Sequence, residues 1–176
     1  MADCRFILIT GGSRSGKSSC ALSLAQTVAA QGQAYFIATA QPIDDEMRAR
    51  IAHHRRQRPP AFQTIEEPLQ LCRAVERLDA GAGVVVIDCL TLWISNLMAA
   101  GRGDDAILTE SENLARLLGA ARYRALVVSD EVGSGLVPMD PVGRRFRDLL
   151  GWTNQTIGRA ADRILMMVAG YPLRVK

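Results

Sequence analysis

The sequence predicts a single α/β domain in which helices flank a mostly parallel central sheet. Short apolar runs alternate along the chain with amphipathic stretches, and the runs are rich in Val, Ile and Leu without strict alternation. Strands of that composition are covered by helices on both faces, which favours parallel pairing. A chain of 176 residues is within the size range of one such domain, so we expect one domain over residues 1–176.

The predicted elements follow in order along the chain. The predicted strands cover residues 5–10, 34–39, 83–91, 124–131 and 163–170. The predicted helices cover residues 17–31, 43–57, 67–79, 90–100, 110–122 and 140–161. We expect surface loops at residues 57–62, which contain two prolines, and at residues 99–106, which contain two glycines and two aspartates.

Composition excludes several classes of protein. A net charge of +3 is too small to indicate a nucleic-acid partner, although it suits small phosphorylated ligands. No apolar run reaches the roughly 18 residues that cross a bilayer, and the first residues lack the pattern of a signal peptide. The four cysteines are far apart and suggest neither a zinc site nor a disulfide framework. We therefore expect a cytoplasmic protein without a membrane span.

The stretch GGSRSGKSS, directly after the first predicted strand, matches the pattern G-x-x-x-x-G-K-[ST] of a P-loop at residues 11–18. Backbone N–H groups of such a loop surround a phosphate, and the following helix points its positive dipole end at it. Lys17 is expected to reach the β- and γ-phosphates, and Ser18 to bind Mg²⁺. The alternative is a chance match in a turn rich in Gly and Ser, but a strand before it and a helix after it favour a nucleotide site.

Acidic residues at two strand ends are candidates for the rest of a magnesium site. Asp88 follows an apolar run, and Asp130 and Glu131 follow another. The stretch DEVG at residues 130–133 also matches the D-x-x-G motif of regulatory GTPases. The chain has no Asn-Lys-x-Asp motif for reading guanine, which argues against a regulatory GTPase.

The only two histidines of the chain, His53 and His54, are adjacent and are followed by arginines. Both fall near the end of the predicted helix 43–57, about 100° apart around its axis, so only one can face the P-loop. A solvated helix end is the simpler interpretation. The alternative is nucleophilic catalysis, because a neutral imidazole can attack phosphorus and nearby arginines offset phosphate charge.

Five blocks of sequence together resemble one known enzyme family. The blocks are ITGGSRSGKSSCAL, YFIATAQPIDDEMRARIAHHRRQRP, VVVIDCLTLWISNL, VVSDEVGSGLVP and GWTNQTIGRAADRILMMVAGYPLRVK. In this order and almost from end to end, the sequence resembles the bifunctional adenosylcobinamide kinase / adenosylcobinamide-phosphate guanylyltransferases of cobalamin biosynthesis. The resemblance implies a P-loop NTPase fold with a RecA-like strand order, and a homotrimer.

The resemblance also implies two reactions. The first phosphorylates the aminopropanol hydroxyl of adenosylcobinamide with ATP or GTP in the presence of Mg²⁺. The second transfers GMP from GTP to adenosylcobinamide phosphate through a guanylyl-histidine, which corresponds to His53, and releases pyrophosphate. Lys17 is the other expected catalytic residue, and Ser18 and Asp88 are the expected metal ligands.

The nucleotide contacts that the resemblance implies extend well beyond the P-loop. They are Gly11, Gly12, Ser13, Arg14, Ser15, Gly16, Lys17, Ser18, Ala38, Thr39, Ala40, His54, Arg55, Arg56, Gln57, Glu66 and Asp88. One departure from the family pattern is Asp130, where many members have Asn. We treat Asp130 and Glu131 as candidate contacts of the magnesium ion or the substrate hydroxyl, with a structural turn as the alternative.

Two further expectations concern assembly and competing functions. A corrinoid is too large for a closed pocket in this chain, so a groove between subunits is a natural binding site. Trp93, Ile94 and Leu97 are candidates for the subunit interface, with a core helix as the alternative. The competing functions are a P-loop kinase of another small alcohol, without nucleotidyl transfer, and a non-enzymatic nucleotide switch.

Overall fold

A seven-stranded sheet forms the centre of the protein in a computed structural model, which describes residues 4–27, 32–78 and 80–176. The strands are β1 Phe6–Gly11, β2 Gln33–Ala38, β3 Phe62–Glu66, β4 Ala82–Asp88, β5 Arg124–Val128, β6 Arg163–Val168 and β7 Tyr171–Arg174. Their order is β3-β2-β4-β5-β1-β6-β7, and within the described residues every pair is parallel except β6 with β7. The predicted mostly parallel α/β sheet is confirmed.

The order of the central strands places several strand ends side by side. β5 lies between β1 and β4, as a RecA-like order requires. Val128 at the end of β5 is in register with Ile9 of β1 on one side and with Asp88 of β4 on the other. Since parallel strands end at the same edge of a sheet, the segments that follow β1, β4 and β5 meet there, which is where α/β folds bind ligands.

The described residues include six helices, most of which pack on the two faces of the sheet. They are α1 Lys17–Gln26, α2 Asp45–Gln57, α3 Leu71–Glu76, α4 Leu90–Ala99, α5 Asp104–Ala120 and α6 Pro141–Ala160. Apolar residues of α3, α4, α5 and α6 form one core with alternate strand residues such as Leu8 and Val85. The other strand residues, such as Ile9 and Val86, form a second core with α1. The alternation of side chains along the central strands therefore supplies both cores.

Two edge strands were not predicted, because neither has the apolar composition of a buried strand. β3 has one fully buried residue, Phe62, which the prediction placed in a loop. β7 is exposed along its whole length and contains Pro172, a residue that sheets accept at edges. The prediction extended the preceding strand to residue 170, whereas β6 ends at Val168.

Two predicted helix starts were wrong by several residues. α5 begins at Asp104 instead of residue 110, with Asp104 and Asp105 in its first turn, so the predicted loop 99–106 is shorter than expected. α3 begins only at Leu71, because the carboxylate of Glu67 accepts hydrogen bonds from the backbone of Leu69 and Gln70 and forms a turn there. Residues 28–31 of the first predicted helix and residue 79 of the third lie outside the described residues.

The apolar side chains of α4 belong to the core and do not form the candidate subunit interface. Trp93 and Ile94 are completely buried, and Leu97 is 3% exposed. Trp93 also donates its indole N–H to the carbonyl of Leu69, at 2.9 Å. The alternative interpretation as a core helix was therefore right. Within the described residues, none of the helices combines the length and apolar character needed to cross a membrane.

Candidate active site

The P-loop joins β1 to α1 in a backbone conformation that two glycines make available. Gly11 has φ of 141°, and a Cβ atom there would lie 2.6 Å from the carbonyl oxygen of Met167. Gly16 has φ of 96° and precedes the first residue of α1, Lys17. Residues with side chains rarely adopt such angles, so these two glycines allow the loop to wrap and the helix to begin at the same point. The tip residues Gly12, Ser13 and Arg14 are exposed.

Lys17 is nearly buried and is held within the protein by two oxygen atoms. Its Nζ donates to the carbonyl of Gly12 at 2.6 Å and lies 2.5 Å from a carboxylate oxygen of Asp130. Only 8% of Lys17 is exposed, and an ammonium group taken out of water at that depth needs such oxygen partners to offset its desolvation. A triphosphate that binds Lys17 must compete with the Asp130 carboxylate.

Asp130 is fixed in place through its backbone. Its N–H donates to the hydroxyl of Thr91 at 2.8 Å, and its carbonyl accepts from the amide of Asn154 at 3.0 Å. The side-chain oxygen of Asn154 in turn accepts from Ser129 at 2.6 Å. Thr91 and Asn154 were not predicted as part of the site. They lie 39 and 24 positions from Asp130 along the chain, and no sequence pattern connects residues so far apart.

Asp88 stands at the end of β4 and accepts a hydrogen bond from the side chain of Ser18. Burial raises the pKa of Asp88 above its ordinary value, while the Ser18 hydrogen bond and the charges of His54 and Arg58 act against this rise. A serine hydroxyl and one carboxylate are the hard oxygen donors that bind Mg²⁺ together with nucleotide phosphates. No three His, Cys, Asp or Glu side chains of the described residues form a metal cluster of their own.

The residue after β2 supports the backbone directly after Asp88. Thr39 is completely buried; its hydroxyl donates to the carbonyl of Cys89 at 2.7 Å and accepts from the Cys89 N–H at 2.8 Å. Asn96 donates to the carbonyl of Thr39. Ala38 is buried as well, and Ala40 is half-buried. The structure thus gives Thr39 a supporting role, and nucleotide contacts at these three positions stay a prediction.

Helix α2 brings the histidine pair to the same edge of the sheet. The helix begins after Asp44, whose side chain accepts from the N–H of Met47. His53 is exposed and His54 is half-buried, with their rings 6.0 Å apart and nearly perpendicular. Burial lowers the pKa of His54, whereas the nearby charge of Asp88 raises it. His54 therefore lies on the side of α2 that faces Asp88, whereas His53 lies on an exposed side.

A cleft of about 440 Å³ lies between the end of α2 and β3. Arg55, Arg58 and Glu66 are among the residues that line it. Arg55 and Glu66 form an ion pair with each other. The guanidinium of Arg58 stacks on Phe36, with its Cζ atom 4.1 Å from the centroid of the ring. The Nε and Nη1 atoms of Arg58 are buried and have no hydrogen-bond partner among the described residues. Arg58 was missing from the predicted site, although it continues the basic run RRQR.

The structure brings most of the predicted residues together along one edge. The P-loop, Asp88 and His54 form a connected group, to which Asp130 is added through Lys17. Arg55 and Glu66 lie in the adjoining cleft, and Arg58 connects the two parts because its charge acts on Asp88 and interacts with that of Glu66. Arg56 is exposed, and the side chain of Gln57 lies outside the described part of the chain.

Comparison with protein families decides the relationship. The model of the CobU family, described as cobinamide kinase / cobinamide phosphate guanyltransferase, matches residues 7–175. The chain belongs to the CobU family. The match includes the P-loop, Asp88, the histidine pair and Asp130, so every part of the site described above lies within the region that matches the family.

Curated relatives extend over almost the whole chain. The bifunctional adenosylcobalamin biosynthesis protein CobP of Pseudomonas aeruginosa is 44% identical over 173 residues, which are 96% of each chain. The CobU proteins of Escherichia coli and Salmonella typhimurium are 35% and 34% identical and cover 97% of this chain and 99% of their own. The similarity of this CobU-family chain to bifunctional proteins is therefore not confined to the P-loop.

Solved structures of more distant proteins share the fold. One of them, an ATPase domain, has a TM-score of 0.51 at 14% identity and covers 92% of this chain and 68% of its own. The flagellar accessory protein FlaH of Methanocaldococcus jannaschii has a TM-score of 0.56 at 14% identity, and the match covers 98% of this chain and 78% of the FlaH chain. At that identity the likeness is one of fold, and it agrees with the expected P-loop NTPase architecture.

Proposed function

We propose that this protein phosphorylates the aminopropanol hydroxyl of adenosylcobinamide with ATP or GTP and then transfers GMP from GTP to the new phosphate. The products of the second step are adenosylcobinamide-GDP and pyrophosphate. One observation carries the proposal: the P-loop and the histidine helix α2 meet at the carboxylate of Asp88. This carboxylate contacts Ser18 of the P-loop and interacts with His54 of α2. The names of the full-length relatives support the same pair of activities.

In the kinase step the P-loop holds the triphosphate while the acceptor hydroxyl oxygen attacks the γ-phosphorus. The bond from that phosphorus to the β-phosphate oxygen breaks, the nucleoside diphosphate leaves, and the hydroxyl proton passes to solvent. Lys17 moves from Asp130 to the phosphates and stabilises their charge in the transition state. Ser18 and Asp88 would hold Mg²⁺, which supplies further charge neutralisation when bound. Catalysis here is chiefly the positioning of reactants.

In the transfer step a histidine nitrogen attacks the α-phosphorus of GTP and pyrophosphate leaves. The phosphate of the corrinoid then displaces the histidine. We assign the nucleophile to His53, on the family resemblance, although His53 lies on the exposed side of α2. No described side chain of α2 is fully buried, so a rotation or slide of this helix on nucleotide binding breaks little apolar packing. Such a movement would bring His53 to the phosphates.

The cleft beside α2 suits the guanine base. The carboxylate of Glu66 can accept hydrogen bonds from the two adjacent N–H donors on the Watson–Crick edge of guanine. Adenine lacks this pair of adjacent donors. Arg58 presents two buried N–H groups without partners among the described residues, so a nucleotide oxygen bound there would satisfy them. Guanine must replace Arg55 as the partner of Glu66, and the released Arg55 is then available to the phosphates.

Mass spectrometry of the protein after incubation with GTP and Mg²⁺ tests the covalent step. Wild-type protein should gain the mass of one guanylyl group, and peptide mapping should locate it on His53. The His53→Asn variant should gain none, whereas the matched His54→Asn variant should still form the adduct at a reduced rate. An acid-labile, base-stable GMP adduct on the His53→Asn protein would refute the assignment.

Activity with adenosylcobinamide separates the competing functions. The His53→Asn variant should keep most of its kinase activity, because phosphoryl transfer needs no covalent relay. Turnover of the corrinoid hydroxyl without any guanylyl adduct in the wild type would favour a kinase without nucleotidyl transfer. Absence of multiple turnovers with any acceptor would favour a nucleotide switch.

Assembly and domain organisation are part of the same proposal. We expect both activities within one domain, because the P-loop, Asp88 and His54 lie at one edge of one sheet. We also expect a homotrimer. Light scattering at several protein concentrations measures the mass of the particle, and a monomeric mass throughout would exclude the trimer.

A further inference from the structure

The segment between β5 and α6 exposes apolar side chains to an unusual degree. Within the described residues, no large apolar side chain is more exposed than Leu136 at 97% and Met139 at 98%, and Val137 between them is 63% exposed. We name residues 133–140 the apolar loop. Neighbouring exposed apolar side chains of this size indicate a surface that contacts a ligand or a partner.

The backbone of the apolar loop is held in place by charged groups. Arg144 donates to the carbonyls of Pro138 and Met139, at 3.0 and 2.6 Å, and Arg147 donates to the carbonyl of Gly133 at 2.7 Å. Asp140 ends the loop by accepting from the N–H of Gly143 in the first turn of α6. Because these contacts fix the loop, its apolar side chains are presented to solvent instead of collapsing onto the protein.

The apolar loop begins beside the P-loop. The N–H of Glu131 donates to the carbonyl of Gly11, the first P-loop residue, at 3.0 Å. The carboxylate of Glu131 accepts from the N–H of Gly133, the first residue of the apolar loop, at 2.6 Å. A Cβ on Gly133 would lie 2.8 Å from that carboxylate, so glycine allows the contact. One continuous hydrogen-bonded segment thus runs from the phosphate site to the exposed apolar side chains.

The acceptor is too large for the two clefts described in this protein. Two clefts in the described part of the chain have volumes of about 440 and 510 Å³, and an adenosylated corrinoid is larger than either. Its hydroxyl must still reach the γ-phosphate at the P-loop. The bulk of the macrocycle therefore lies outside these two clefts and around the P-loop, where the methyl groups between its amide side chains gain from an apolar partner.

We propose that the apolar loop is the docking surface for the corrin macrocycle, with Leu136 and Met139 as its main contacts. The proposal rests on the proposed function, since it takes adenosylcobinamide as the acceptor. The fixed backbone lets the loop position the acceptor arm toward Lys17 without a cost for ordering. The same surface serves the second step, in which the phosphorylated arm returns to the same edge of the sheet.

The double variant Leu136→Ser, Met139→Ser tests the proposal in the kinase reaction. We expect the KM for adenosylcobinamide to rise at least about tenfold, because two apolar contacts are lost. The KM for ATP should stay within about twofold of the wild-type value. Formation of the GMP adduct from GTP, which needs no corrinoid, should also stay within about twofold. The Met139→Leu variant keeps an apolar side chain and should retain a KM close to that of the wild type.

Val175→Ser is the matched control, because Val175 is 60% exposed and its N–H bonds to Ile164 near the start of β6, away from the P-loop edge. Its corrinoid KM should not change. An unchanged corrinoid KM in the double variant would overturn the proposal, and so would a parallel loss of adduct formation. A smaller particle in light scattering would identify the loop as a contact between copies and would also overturn it. If the wild type fails to phosphorylate adenosylcobinamide, the proposed function itself is wrong.

Discussion

The P-loop and helix α2 lie at the same edge of the sheet but are held in very different ways. Lys17 is almost buried and has two oxygen partners, and α1 buries Ala21 and Ala25 against the sheet. By contrast, α2 has no fully buried side chain in its described part, and its ion pairs, Arg48 with Asp45 and Arg55 with Glu66, are exposed. Apolar burial fixes the P-loop and α1 against the sheet, whereas contacts that water can replace hold α2.

This difference matches the two proposed reactions. Phosphoryl transfer from a bound triphosphate requires a fixed array of donors, which the P-loop already supplies. A covalent relay requires that the histidine first reaches the α-phosphorus of GTP and then presents the bound guanylyl group to the acceptor phosphate. A weakly packed helix can move between two such positions. Stability is therefore concentrated where the chemistry is common to both proposed steps.

The largest expected effect comes from removing the cation of the fixed region. Lys17→Ala should lower kcat/KM of the kinase reaction by about 10²- to 10³-fold, the usual loss for one transition-state donor. The reaction rate with adenosylcobinamide and ATP measures it. The double variant Lys17→Ala, Asp130→Asn removes the carboxylate left unpaired by the first change. Recovery of activity in that double variant would show that the loss came from Asp130 instead of from the missing cation.

Asp88→Asn should separate activity from stability within the same region. Adduct formation and kinase activity should both fall by roughly 10²-fold, because the charged metal ligand is lost. The melting temperature should rise at neutral pH, since burial raises the pKa of Asp88 and thus disfavours its ionised form. The gain in melting temperature should reach its full size at pH values above the raised pKa of Asp88. It should disappear as the pH falls from that pKa toward the ordinary pKa of an aspartate. Thermal melts of both proteins across acidic and neutral pH measure the effect, and an unchanged or lower melting temperature at neutral pH would contradict it.

Hydrogen exchange compares the two regions directly. Amides of α2 should exchange at least about tenfold faster than those of α1, because opening α2 exposes little apolar surface. Addition of GTP and Mg²⁺ should slow exchange in α2 much more than in α1. Exchange followed by mass spectrometry provides the measurement. Equal protection of the two helices without nucleotide would remove the basis of the comparison.

The smallest effect is expected for Asp130→Asn, which changes the competitor for Lys17. Nucleotide affinity should increase about three- to tenfold, because the triphosphate no longer displaces a carboxylate and no longer faces its charge. Stability should decrease, since Lys17 loses its buried ionic partner. Calorimetric titration with ATP measures the affinity. Asp104→Asn breaks an ion pair with Arg145 elsewhere and should leave the affinity unchanged.

Sequence reasoning succeeded where a feature depends on neighbouring residues. The apolar runs of β1 and β4 predicted buried strands, because a run of Val and Ile is buried whichever strand it pairs with. It failed for β3 and β7, whose composition is polar or interrupted by proline and whose existence depends on an available sheet edge. It also missed Arg58, whose role depends on the ring of Phe36 and on the cleft around it.

The sequence by itself determined the α/β class and the P-loop, because a phosphate is surrounded by consecutive backbone N–H groups and needs no distant partner. Only the tertiary structure decided that Lys17 meets Asp130 and that Ser18 meets Asp88, since these pairs come from different strand ends that the sheet order aligns. The same is true of the histidines. Adjacent positions on a helix face different directions, and only the rotation of α2 against the sheet placed His54 toward Asp88 and His53 on the exposed side.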